Sequence, residues 1–316
     1  MLIISRIDYR NYKRLYKIAY IFSIIALLSV VVPGIGRTVN GAKRWIDLGF
    51  GTFQPSELAK IGLMVFYAAY LSDHKNELPS FWKGFVKPLM FLIPPIAILF
   101  KIQNHLSASL VIIGITCIMM IMAGTKFRYF GSFGLAGAGL GLSALIIIPK
   151  IRGEESFRLQ RLITFLNPFE YKQDEGWQVV QGLYAIGSGG LFGVGLGQSK
   201  QKYLYIPEPH NDFIFAVLAE ELGFVGCTIV IALFAVLIWR GILAAIKAPD
   251  SFGSLLAIGI TSLIGLQAIM NIAVVTSSMP ATGISLPFFS YGGTALLILL
   301  CSVGVLLNIS RAGSKV

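Results

Sequence analysis

Long apolar runs broken by short polar stretches constrain this chain more than any other feature. They lie near residues 16–34, 55–72, 85–101, 106–123, 129–149, 213–239, 252–276 and 285–307. A helix needs about 20 mostly apolar residues to cross a bilayer. Inside hydrocarbon, helices satisfy every backbone polar group within the segment. The expected fold is therefore all-α: a polytopic membrane helical bundle of about eight transmembrane helices. Of the 316 residues, 55% are hydrophobic and only 13% charged, which excludes an ordinary soluble domain. No linker or low-complexity tract divides the chain, so residues 1–316 read as a single integral membrane domain. Cys117, Cys227 and Cys301 sit in apolar runs and offer neither a disulfide framework nor metal-ligand spacing. The net charge of +11 flanks the spans rather than forming one basic face. It suits anionic lipid headgroups, not nucleic acid.

Orientation follows from the basic residues of the short loops. Arg6, Arg10, Lys13, Arg14, Lys75, Lys83, Lys126, Arg240 and Arg311 gather on one side. Only Arg37, Lys43, Arg44 and Lys101 fall in the short loops opposite. Both termini are expected in the cytoplasm, with the large 150–211 segment outside. At the N-terminus, Met1–Ile4 is an apolar stub too short for a span or a signal peptide, followed at once by SRIDYRNYKR.

The stretch YLYIPEPHNDFIFAVLAEELGFVG, residues 203–226, passes from a proline-punctuated segment into a long apolar helix. Asp212 stands at that junction, and Glu220 and Glu221 follow roughly 12 Å deeper at a rise of about 1.5 Å per residue. A carboxylate in or at a span is costly and marks function by default. Against this, Asn211 or Asp212 makes a good N-cap. The glutamates could simply pair with a basic neighbour.

Other stretches carry polar chemistry at span ends. Residues 35–60 read as an external loop leading into a helix, with Lys43 and Arg44 beside Trp45 able to anchor headgroups or meet an anionic ligand. Glu57 and Lys60, three apart, read as a structural ion pair. In the 150–211 segment, Arg158 and Arg161 share a face if that piece is helical. A glycine run from Gly187 to Gly197 precedes Lys200 and Lys202, where exposed amides could cradle phosphate oxygens. It lacks the P-loop pattern, so nucleotide binding is unsupported. PATGISLPFFSYGGTALL at 280–297 opens the last span, with Ser290 and Tyr291 as its polar groups.

Three of these stretches together, PEPHNDFIFAVLAEELGFVG, NGAKRWIDLGFGTFQPSELAK and PATGISLPFFSYGGTALL, closely resemble the motifs of the SEDS proteins, the FtsW, RodA and SpoVE family. The resemblance covers essentially the whole chain and leans to FtsW or SpoVE rather than RodA. QNHLSASLV departs from the family's QPDLGT-like segment, with His105 at the common aspartate position. The resemblance implies ten spans, so that two would precede this chain's first. It implies a peptidoglycan glycosyltransferase that polymerises lipid II into β-1,4 strands by inversion at the outer face of the bacterial cytoplasmic membrane. Asp212 would be the catalytic carboxylate, a divalent cation (Mg2+ or Mn2+) the cofactor, and a class B penicillin-binding transpeptidase the partner. No protein metal-ligand set is visible. Lys43, Arg44, Arg158, Arg161, Lys200, Lys202 and Ser290 are the candidate substrate-binding residues. Of these, Lys43, Arg158, Arg161, Lys200 and Lys202 are expected to approach one external cavity beside Asp212. The rival readings are a lipid II flippase, with the intramembrane carboxylates lining a polar path, and a non-catalytic scaffold of the division machinery.

Overall fold

A computed structural model describes residues 1–39, 42–47, 49, 51–131, 134, 164–171, 176–202 and 209–314. The chain divides into two compact units. The first comprises Met1–Tyr129, Val236–Leu266 and Gly292–Val316; the second, Phe130–Ala235 and Gln267–Tyr291.

After short helical turns at Ile4–Arg6 and Arg10–Arg14, the first unit enters α1 (Tyr16–Leu28), which continues through a 3-10 turn to Val31. A three-stranded antiparallel sheet follows: β1 (Gly36–Val39), β2 (Ala42–Asp47) and β3 (Thr52–Phe53), in that order. This is a departure from the purely helical expectation, which read the segment as a loop. The register places Val39 opposite Ala42, with Asn40–Gly41 between them in sequence. That dipeptide is the strongest short hairpin signal a sequence carries. An irregularity between Arg37 and Thr38 shifts the pairing.

Next come α2 (Pro55–Asp73), α3 (Phe81–Ile102) and α4 (Leu106–Ala123). Pro55 occupies the first turn of α2, where its missing N–H costs nothing. In α3, Pro94 and Pro95 lie inside the regular stretch Lys87–Ala97, which π-helical turns flank on both sides. α2 is the core of this unit, with Leu63 through Leu71 all buried. Phe66 gathers Tyr20 (centroids 4.6 Å apart), Tyr67, Tyr70 and Phe91 around it. Gly62 lets α1 approach so closely that a Cβ there would collide with Ser23 and the Ala19 carbonyl. The N-terminal segment is stitched to the far end of the chain. Asn308 donates to the Ser5 carbonyl (2.9 Å) and accepts from the Tyr9 amide (3.1 Å), and the Tyr9 hydroxyl donates to Asp250.

The second unit contains α5 (Trp177–Gly189) and the first two-thirds of the 33-residue α6 (Ile214–Ile246). α7 (Ser251–Val275) and α8 (Gly293–Gly313) complete the chain. Among the described residues, five helices are long and apolar enough to cross a membrane: α3, α4, α6, α7 and α8. The expected span near 129–149 lies almost wholly outside the described residues. The last span begins later than the expected residue 285. Pro287 and the left-handed Phe288 (φ 68°) keep 286–291 irregular, and the helix starts at Gly293.

Candidate functional site

α5 and the start of α6 pack side by side. Gly182 packs against Phe213 and Ala216, and Gly189 against Ala219 and Glu220. The helix then breaks at Gly223, whose φ of 67° and ψ of −167° suit glycine alone. The break frees backbone groups, and the glycine-rich loop takes them up. Val194 and Gly195 amides donate to the carbonyls of Glu220 and Glu221 (2.9 and 3.1 Å). Phe224 and Val225 amides donate to the carbonyls of Gly190 and Leu191 (2.9 and 3.1 Å).

The two glutamates complete this seam. The Glu220 carboxylate, 2% exposed, accepts from the Ser199 hydroxyl (2.5 Å) and from the amides of Lys200 (3.0 Å) and Gln201 (3.3 Å). Glu221 accepts from the Ser199 amide (3.4 Å) and pairs with the Lys202 amine (2.8 Å). These carboxylates staple the loop to the helix; they do not line an open polar path. The amides at 199–201, just beyond the Gly187–Gly197 run, serve the chain's own carboxylates. Lys202 is likewise engaged, with Glu221 and the Gly197 carbonyl (2.8 Å). The Lys200 side chain is exposed.

Asp212 lies in the turn immediately before α6 and is half-buried. Three consecutive carbonyls of this turn are captured from the C-terminal motif and from α7. The Tyr291 amide donates to His210 (2.8 Å), the Ser290 hydroxyl to Asn211 (2.6 Å), and the Asn271 side-chain amide to Asp212 (2.8 Å). Ser290 also accepts from the Leu286 amide (2.7 Å). Its hydroxyl thus engages backbone on both sides and clamps this turn to the C-terminal motif. The Asp212 carboxylate rests against Gly283, where an added Cβ would come within 2.8 Å of Oδ2. Neither Asn271 nor Gly283 stands out in the sequence. The only cue is an asparagine in the apolar stretch IMNIAVV.

The remaining described candidates belong to the first unit. Lys43 is exposed on β2. Arg44 donates to the carbonyls of Gln103 (3.1 Å) and Asn104 (2.5 Å), tying the sheet to the turn between α3 and α4. Glu57 and Lys60 form the expected ion pair at 2.8 Å, with Lys60 2% exposed. His105, just before α4, is 6% exposed. Burial, with Arg44 and Lys60 nearby, pushes its pKa down to about 3 and keeps it neutral. Arg158 and Arg161 lie outside the described residues. Among the described residues, no group of three or more His, Cys, Asp or Glu could hold a metal ion.

A half-buried carboxylate held at the head of an apolar helix, in a chain of several membrane-crossing helices, defines a polytopic membrane protein with a polar site at a span end. The sequence is matched over residues 1–315 by the family model described as cell cycle protein, FtsW/RodA/SpoVE. The chain belongs to that family. It is 42% identical to stage V sporulation protein E of Bacillus subtilis over 311 residues, covering 98% of this chain and 83% of that protein. It is 44% identical to a probable peptidoglycan glycosyltransferase FtsW of Geobacter sp. over 304 residues, covering 96% and 81%. Among solved structures, it resembles a chain from a peptidoglycan synthase complex that coordinates polymerization and crosslinking. The TM-score there is 0.79 at 28% identity, covering 99% of this chain and 86% of that one. The rod shape determining protein RodA of Thermus thermophilus matches at TM-score 0.68 and 28% identity, covering 98% and 82%.

Proposed function

We propose that this chain is a peptidoglycan glycosyltransferase that polymerises lipid II into β-1,4 glycan strands at the outer face of the bacterial cytoplasmic membrane. The observation that carries the reading is the turn at His210–Asp212, whose carbonyls are pinned one after another while its carboxylate is held at the mouth of α6. Its support is the family membership and the relatives named as glycosyltransferases. Strand growth requires a sugar hydroxyl to attack the anomeric carbon of a lipid-linked sugar diphosphate. A carboxylate base that takes the hydroxyl proton contributes roughly 10²–10⁴-fold. Asp212 is that base. The proton passes from the acceptor hydroxyl to the carboxylate as the new C–O bond forms and the diphosphate leaves with the electron pair of the old one.

The described residues do not fit a protein-held divalent cation, since they offer no ligand cluster. A divalent cation, as the resemblance implies, would enter with the substrate's diphosphate and would offset the negative charge developing on it. Among the described candidate cations, Lys43 and Lys200 are exposed and available to an anionic substrate. The termini lie in the cytoplasm by the distribution of basic residues. The partner is a class B penicillin-binding transpeptidase, in keeping with the likeness to a synthase that couples polymerization to crosslinking.

The test is Asp212→Asn with purified protein and labelled lipid II. Asn caps a helix about as well as Asp, so the variant should fold. Its polymerisation should fall by roughly 10²-fold or more. Near-normal strand synthesis would remove Asp212 from the mechanism. Leaflet exchange of lipid II without strands would instead favour a flippase.

A further inference from the structure

Asn271 stands on α7 with 1% of its surface exposed. Its side-chain nitrogen donates twice, to the Asp212 carbonyl (2.8 Å) and to the Ile284 carbonyl (2.7 Å). It therefore joins the turn bearing Asp212 to the loop bearing Gly283. That loop in turn faces the carboxylate: a Cβ at Gly283 would lie 2.8 Å from Asp212 Oδ2 and 3.6 Å from its Cγ. Beyond its chain neighbours, such a Cβ would meet nothing else within 4 Å among the described residues.

We infer that Asn271 and Gly283 are positioning residues for the Asp212 carboxylate. The inference rests on the reading of Asp212 as the base. Asn271 fixes the backbone end of that residue, and Gly283 leaves the space its carboxylate occupies. Two observations separate this from ordinary packing. Both hydrogens of the Asn271 amide are spent on the clamp, and its Oδ1 is left buried without a partner among the described residues. Such an orphaned acceptor destabilises the fold and calls for an explanation. Gly283, for its part, is exposed and is not among the glycines with left-handed φ. Neither burial nor backbone conformation demands glycine there; the carboxylate does. A base misplaced by even 1 Å can cost about 10²-fold in rate.

The experiment compares Gly283→Ala, Asn271→Gln, Asp212→Asn and the Gly283→Ala/Asp212→Asn pair, as the purified full chain with labelled lipid II. Thermal unfolding, KM and kcat are measured for each. Gly283→Ala should melt as the parent does and keep its KM within about twofold. Its kcat should drop by about 10-fold or more. Asn271→Gln should lower kcat in the same sense. Adding Gly283→Ala to Asp212→Asn should cost nothing further, because the two act through one carboxylate. Parental kcat in Gly283→Ala beside an inactive Asp212→Asn would overturn the inference. So would losses that multiply in the pair, or an Asn271→Gln effect confined to melting. Failure of Gly283→Ala to fold would also overturn it, since the added methyl meets only the carboxylate. Near-normal activity of Asp212→Asn is a separate outcome: it would overturn the base itself, and the clamp as a catalytic device with it.

Discussion

Replacing Glu220 with Gln tests the claim that the glycine-rich loop is held by a carboxylate staple. The substitution keeps the side chain's size and removes its charge. In the parent, one oxygen accepts from the Lys200 amide, and the other from Ser199 Oγ and the Gln201 amide. Gln offers a single acceptor oxygen, so at least one backbone N–H must face an NH2 group. A hydrogen bond to a charged group contributes about 1.5–3 kcal/mol, and a buried donor left unmade costs about 1–3 kcal/mol. Solvent screening is slight at a residue only 2% exposed. The loop should therefore lose about 3 kcal/mol of local stability, which is roughly a 10²-fold rise in its opening at about 1.4 kcal/mol per tenfold. Hydrogen exchange by mass spectrometry in detergent reads this directly over residues 190–202. Protection of the Val194, Gly195, Lys200 and Gln201 amides should fall by about that factor. Glu221→Gln, which releases a pair with side chains 13% and 16% exposed, should cost less. Unchanged exchange in Glu220→Gln, or a larger effect from Glu221→Gln, would refute the staple.

Two other perturbations follow from the first unit. Glu57→Gln would leave Lys60 buried without its charge partner and should cost about 3–5 kcal/mol, while Glu57→Gln with Lys60→Met should recover most of it; denaturant unfolding of both decides. Asp250 resists ionisation through burial, yet hydrogen bonds from Tyr9, the Gly253 amide and Arg10 outweigh this and hold its pKa below the usual 3.8. Its contribution is fully present above pH 3.8 and is lost as pH falls through the lower folded value. Melting temperature should thus drop below that point in the parent and more shallowly in Asp250→Asn; parallel profiles would contradict the linkage.

Apolar run length was enough to find most of the helices, because a hydrocarbon-crossing segment is a local property of about 20 residues. The motifs around Asp212 and the pair Glu57–Lys60 were legible for the same reason: their residues are neighbours in the chain. The hairpin at 36–53 was also local. Its Asn40–Gly41 signal was overshadowed by the apolar context on either side.

What the sequence determined by itself, then, was a membrane-spanning helical chain with a carboxylate at the head of one helix. Tertiary structure alone decided what each polar group does there. Glu220 and Glu221 looked equally fit for a polar path or a staple; only the return of the loop from Gly190 to Lys202 put five donors within their reach. The Ser290 hydroxyl meets Asn211, 79 positions away. Gly283 carried no signal, and Asn271 only that of a polar residue in an apolar stretch. Their partner Asp212 is 59 residues distant from Asn271, and a hydrogen bond over that separation exists only when the fold has brought both ends together. Periodicity and spacing report on neighbours within a few turns of the chain, whereas the position of a functional carboxylate is set by whatever packs beside it.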